Sequence, residues 1–189
     1  MKTKKPSKAR EKLIVTAERL FYAEGIRTVG IDRVTAEAKV AKMTLYNHFA
    51  SKDELILEVL KYRDGLINNY FNTQIEQFIT EGLSPLAAFF TSLKNWFEGE
   101  GFRGCAFLNA SAELADRDHP GFAFAVEHKK VFKKLIHEVV IKTKGPEGAA
   151  FVPAIFLMVE GAIVTAVLEG NSTSADEAMD ASMKLLATI

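Results

Sequence analysis

A chain of 189 residues, 48% apolar and 25% charged, can form one medium domain or a small domain on a larger one, and its composition excludes a disordered or fibrous protein. The single cysteine, Cys105, excludes an intrachain disulfide and fits a reducing compartment. The 24 basic and 24 acidic residues cancel unevenly: residues 1–53 hold 12 Lys and Arg against 6 Asp and Glu, and residues 54–189 hold 12 against 18, which points to an anionic partner for the first segment alone.

The basic start, MKTKKPSKAREK, runs into an amphipathic pattern rather than an apolar signal core, so no secretory signal is expected. Ser7 is placed to cap a first helix whose Leu13, Ile14, Ala17, Leu20 and Phe21 share one face, with Gly25 as its stop. Two short helical patterns follow, Ile31–Ala38 and Lys42–His48. Ser51 and Glu54 then form a capping box, SKDE, that opens a long helix ending near Gly82. Ser84-Pro85 starts another, through Phe89, Leu93 and Trp96, broken by GEGFRG.

Cys105–Ala115 reads as a short helix, and Pro120 opens one whose Phe132, Leu135, Ile136, Val139 and Val140 face inward while Lys130, Lys133, Lys134 and Glu138 face water. Gly145-Pro146 ends it and begins an apolar helix. There, Gly148–Leu168 carries one charge in 21 residues, enough length to span a bilayer. Pro153 interrupts it, however, and Glu160 near its middle would cost about 2.5–3.5 kcal/mol on insertion. Burial inside a domain or between subunits explains the same pattern, and no membrane is expected. Ser174 and Glu177 read as a second capping box for a last helix. The chain is therefore expected to be all-α, with about nine helices, divided into a head (1–50) and a larger helical body (51–189).

Ile31–Ala38, a turn at Lys39-Val40, and Lys42–His48 have the lengths of a helix-turn-helix, in which one helix fills the DNA major groove while its partner braces it across the backbone. Val34, Ala38, Val40, Leu45 and Phe49 turn inward. The outer face presents Lys42, Met43, Thr44, Tyr46, Asn47 and His48. One lysine and no arginine is a sparse charge for a DNA contact. Hydroxyls and amides also reach phosphate, and Lys2, Lys4, Lys5, Lys8, Arg10, Arg33 and Lys52 flank the helix.

TVGIDRVTAEAKVAKMTLYNHFASKDEL resembles the DNA-binding signature of TetR-family transcriptional regulators, over about residues 8–60. The matching positions are Gly25, Val34, Thr35, Ala38, Val40, the run Thr44 to Phe49, and Lys52, Asp53 and Glu54. Three positions depart from it. Gly30 replaces a capping Ser or Thr, Lys39 replaces the turn glycine, and Ala41 replaces the serine that caps the reading helix. A non-glycine residue at positive φ and a lost cap each cost about 1 kcal/mol.

The resemblance implies a cytoplasmic homodimer that binds double-stranded operator DNA through Arg33, Lys39, Lys42, Met43, Thr44, Tyr46, Asn47, His48 and Lys52. It also implies a small-molecule effector held in the body, and a dimer interface on the last two long helices, here at Phe156, Val159, Ile163, Val167, Met179 and Met183. The run GCAFLNASAEL, similar to one branch of the family, supplies Cys105, Asn109 and Glu113. With Trp96, Phe97, Phe102 and Phe122 these would suit an apolar ligand bearing few polar groups. Alternatively, Asn109 and Glu113 bond to the Gly99–Gly104 loop or Arg103 and touch no ligand.

Catalysis lacks its usual groups. His119, His128 and His137 are nine residues apart, ELADRDH is a weak metal hint, and phosphate-binding glycine loops are absent, so no catalytic residue, metal or cofactor is expected. Redox sensing by Cys105 would need an activated thiolate, which Arg103 alone does not ensure. The remaining rival is a helical interaction module that does not bind DNA.

Overall fold

The computed structural model describes residues 7–189, which form nine α-helices and one 3-10 helix; no strand occurs among the described residues. In chain order they are α1 (Lys8–Glu24), α2 (Ile31–Ala38), α3 (Lys42–His48), α4 (Lys52–Thr80), α5 (Pro85–Phe97), α6 (Ala106–Leu114), α7 (Pro120–Lys144), a 3-10 turn (Pro146–Phe151), α8 (Val152–Glu169) and α9 (Thr173–Leu186). The helix ends follow the punctuation in the sequence. Gly25 stops α1 at φ 93°, a left-handed conformation open to glycine. Ser51 Oγ accepts the Glu54 N–H at 3.1 Å while the Glu54 carboxylate accepts the Ala50 N–H at 2.6 Å, closing the capping box at α4. Ser84 Oγ accepts the Ala87 N–H above Pro85. Ser7 precedes α1, but its carbonyl rather than its hydroxyl takes the first helical bond.

Two local expectations are corrected. Ser174 does not cap α9: the helix begins one residue earlier, the Asn171 side chain accepts the Thr173 N–H, and the buried Ser174 hydroxyl donates to Ala162 O at 2.9 Å. A serine that bonds a neighbouring helix has the same spacing from a glutamate as a capping serine. The apolar segment after Gly145 is also not one helix, because a 3-10 turn precedes α8.

The described residues pack as two compact units. The first comprises residues 7–65 together with Ala106–Glu127, and the second Leu66–Cys105 with His128–Ile189. In the first, α1 packs on both α2 and α3, and Leu13, Ala17, Leu20, Val34 and Leu45 are fully buried. Arg63 pairs with Glu18 and lies 3.9 Å above the Tyr22 ring, holding α4 to α1. The second unit has an aromatic centre, in which Phe71 meets Phe89 at 5.7 Å and Phe132 at 5.5 Å between ring centroids. There α9 packs on α8 and α5.

Candidate nucleic-acid interface

Lys39 creates the turn between the two short helices. It is left-handed, at φ 54° and ψ 45°, although it is not glycine. Its N–H donates to Ala36 O at 3.2 Å and the Val40 N–H to Thr35 O at 3.0 Å, the paired bonds of a Schellman motif. Leu45 and Phe49 anchor α3 from beneath. Its outer surface carries exposed Lys42, Met43, Tyr46 and Asn47, with Thr44 and His48 half-buried. Met43 is 73% and Tyr46 46% exposed, an unusual outlay of large side chains on so short a helix. Gly30 and Ala41 stand before α2 and α3 without a side-chain cap, as their residue types require.

The cations around this surface differ in availability. Lys42 Nζ lies 2.6 Å from Asp32 Oδ1, and that hydrogen bond raises its pKa. Arg33 is paired with Glu24 and Glu37, and Glu37 also with Arg19. Those bonds hold the Glu37 carboxyl below its ordinary range. A phosphate must displace the acids before Lys42 or Arg33 can contact it. Lys39 has no acidic partner among the described residues. Lys52 is turned inward: its Nζ donates to Ile26 O at 2.6 Å and sits 5.7 Å from the Phe21 ring, and burial lowers its pKa. Arg10 is paired with Glu58. Lys2, Lys4 and Lys5 lie outside the described residues.

Of the residues expected to meet an effector, Trp96, Phe97, Phe102 and Cys105 belong to the second unit. Trp96, Phe97 and Phe102 pack together, with centroids 5.1–5.8 Å apart, and Cys105 is buried. Asn109, Glu113 and Phe122 belong to the first unit. There Phe122 lies under the Arg117 guanidinium, and Glu113 Oε2 accepts the Arg27 N–H at 2.9 Å. The partner of Glu113 is thus the turn after α1, a long-range contact that local spacing cannot reveal.

Of the expected dimer contacts, Val159 and Ile163 are buried in the subunit's own core, 0% and 2% exposed. Phe156 and Met179 are half-buried, while Val167 and Met183 are exposed. The outward stripe of α8 is instead Pro153, Leu157, Gly161, Val164 and Leu168, at i, i+4, i+8, i+11 and i+15. Glu160 turns from it, with both carboxylate oxygens 2.7 Å from Lys129 Nζ on α7. Pro146–Glu169 is the one stretch among the described residues long and apolar enough to cross a membrane.

Three packed helices presenting a solvent-facing seven-residue helix define a helix-turn-helix DNA-binding protein. Residues 13–59 match the family described as bacterial regulatory proteins, tetR family. Over the whole chain, the structure is similar to that of SCO4454, a TetR-family transcriptional regulator from Streptomyces coelicolor. The two are 33% identical, the match covers 96% of this chain and 95% of that one, and the TM-score is 0.82. Curated relatives include LmrA of Bacillus subtilis, an HTH-type transcriptional regulator, 25% identical over 87% of this chain and 89% of that protein. YxaF of the same organism, an uncharacterized HTH-type transcriptional regulator, is 31% identical over 42% of this chain. The match spans 40% of the length of YxaF, and 30% and 40% of YuxN and the transposon Tn10 TetC protein. This chain belongs to the TetR family: it is a transcriptional regulator with a helix-turn-helix DNA-binding domain, and not an enzyme.

Proposed function

We propose that this protein is a cytoplasmic homodimeric repressor, released from a palindromic operator by a small, largely apolar effector. The observation that carries the reading is α3, which exposes Lys42, Met43, Tyr46 and Asn47 while Leu45 and Phe49 fix it from below. Two subunits would set their α3 helices in successive major-groove turns, and Arg33, Lys39, Thr44 and His48 complete the DNA-facing set. Dimerisation is supported by the uncharged stripe of α8. Leu157 and Leu168 are 70% and 80% exposed, and Gly161 between them has open space where a Cβ would stand, which allows close helix approach. The effector reading is supported by family membership and by the aromatic group around Trp96. Release requires the effector to bind the DNA-free state more tightly than the DNA-bound one.

Selection of bound sequences from random duplex DNA tests this. An enriched palindrome is expected, with half-sites about one helical turn apart. A Lys42→Ala, Tyr46→Phe variant should bind it at least about tenfold more weakly while remaining a folded dimer. Failure of the wild-type protein to enrich any duplex would favour the interaction module instead.

A further inference from the structure

Lys52 and Glu113, two polar residues whose chemistry invites a role at a ligand, both end on one short piece of backbone. Gly25-Ile26-Arg27 is the turn that leaves α1 for α2. Its Arg27 N–H is taken by the Glu113 carboxylate at 2.9 Å, and its Ile26 carbonyl by the Lys52 ammonium at 2.6 Å. The fit is close. A Cβ on Gly25 would stand 3.0 Å and 3.3 Å from the two Glu113 oxygens, so the glycine permits both the left-handed backbone and the carboxylate's approach. Glu113 is the penultimate residue of α6, and Lys52 the first of α4. His119, in the turn after α6, accepts the Gly121 N–H at Nδ1, and its buried Nε2 stands 3.4 Å from Asp53 Oδ1 at the start of α4 without a hydrogen bond. The packing agrees, since α6 and the first turns of α7 fall in the same compact unit as the three head helices.

We infer that Glu113 and Lys52 are positioning residues forming a two-sided clamp on the Gly25–Arg27 turn, through which α6 and α4 together set the attitude of the DNA-reading helices. Neither is a contact to effector or to phosphate. This rests on the regulator reading above and deepens it. A shift of the end of α6 pulls on a backbone N–H of the head, and α2 begins four residues after Arg27. The carboxylate and the ammonium hold the N–H and the C=O of one peptide group, the Ile26–Arg27 amide, from its two sides, so loosening either releases the turn.

The test uses the full-length protein, amide exchange followed residue by residue, and the most enriched duplex from the selection. Glu113→Ala should speed exchange of the Arg27 amide about tenfold or more and weaken binding of the duplex by a similar factor. Glu113→Gln, which keeps an acceptor oxygen, should restore most of both, and it keeps the test decisive if the alanine variant does not fold. Lys52→Met should weaken binding yet leave the slope of log affinity against log salt unchanged. The double variant should lose less than the product of the two single losses. The clamp is overturned by unchanged Arg27 exchange in Glu113→Ala, or by a salt slope smaller by about 0.9 in Lys52→Met, the mark of a lost phosphate contact. If the wild-type protein enriches no duplex, the regulator reading fails, and the Arg27 exchange alone decides the clamp.

Discussion

Lys39 invites a substitution that should make the protein more stable by removing a side chain. A left-handed conformation costs a β-carbon-bearing residue about 1–2 kcal/mol relative to glycine. Lys39 has φ 54° and ψ 45°, and its Schellman hydrogen bonds hold it there. Its side chain is exposed, so little burial is lost on removing it. Glycine also loosens the unfolded chain, which subtracts about 0.4–1 kcal/mol. Lys39→Gly should therefore gain about 0.5–1 kcal/mol, or about 1–4 °C in unfolding midpoint for a chain of this size. The assay is thermal unfolding at one fixed protein concentration, because dimerisation would make the midpoint concentration-dependent. Lys39→Ala is the control: it removes the same charge but keeps a Cβ, and should stay within about 0.5 kcal/mol of the parent. Equal midpoints for the glycine and alanine variants would refute the backbone argument. A salt slope on operator DNA reduced by about 0.9 in both would show that the side chain meets phosphate.

Other outcomes follow from single residues. Gly65 lies inside the 29-residue α4, exposed and with nothing within 4 Å of a built Cβ, so Gly65→Ala should stabilise by about 0.5–1 kcal/mol in denaturant unfolding. Leu157→Asp on the outer stripe of α8 should shift the protein from dimer to monomer in analytical ultracentrifugation, whereas an unchanged mass would move the interface elsewhere. Burial pushes the Glu58 carboxyl up, but Lys61 and Arg10 outweigh it and hold it below the ordinary 4.5. A depressed carboxyl stabilises the fold above its unfolded value and loses that contribution as pH falls through its folded value. Glu58→Gln should therefore be less stable than the parent at pH 7, with the difference closing as pH falls below the ordinary carboxylate range in urea titrations.

What could be read beforehand was whatever the chain writes locally. Gly25, the SKDE box, Ser84-Pro85 and the inward face of α7 act within one or two helical turns, and each helix begins or ends where they stand. Lys39 at positive φ followed from its place at the turn glycine of the signature that the sequence resembles. The phase of α8 was hidden because nearly every residue in it is apolar. With hydrophobicity all round, choosing Val159 and Ile163 over Leu157 and Gly161 has no basis in periodicity, and only the packing of α9 selects the buried side. The partners that Lys52 and Glu113 have in the structure were hidden for a related reason. Their partners are backbone atoms of Ile26 and Arg27, 26 and 86 residues away, and backbone groups leave no residue-type signal.

The same contacts account for how the head can be basic in sequence yet weakly charged at its reading surface. Arg10, Arg19, Arg33 and Lys42 are each paired with a carboxylate, and Lys52 with a carbonyl. Such pairs are exposed enough for DNA phosphate to compete for Arg33 and Lys42, but not for the half-buried Lys52. The positive charge of the head is thus conditional. These pairs brace α2 against α1 through Glu24 and Glu37, and α3 against α2 through Asp32, and a phosphate that contacted Arg33 or Lys42 would exchange those braces for the duplex. A phosphate contact at Arg33 or Lys42 would begin by breaking an ion pair, which would weaken sequence-independent binding through those two cations. Discrimination between sequences would then fall to the uncharged side chains Met43, Tyr46 and Asn47, which are exposed, with Thr44 half-buried beside them.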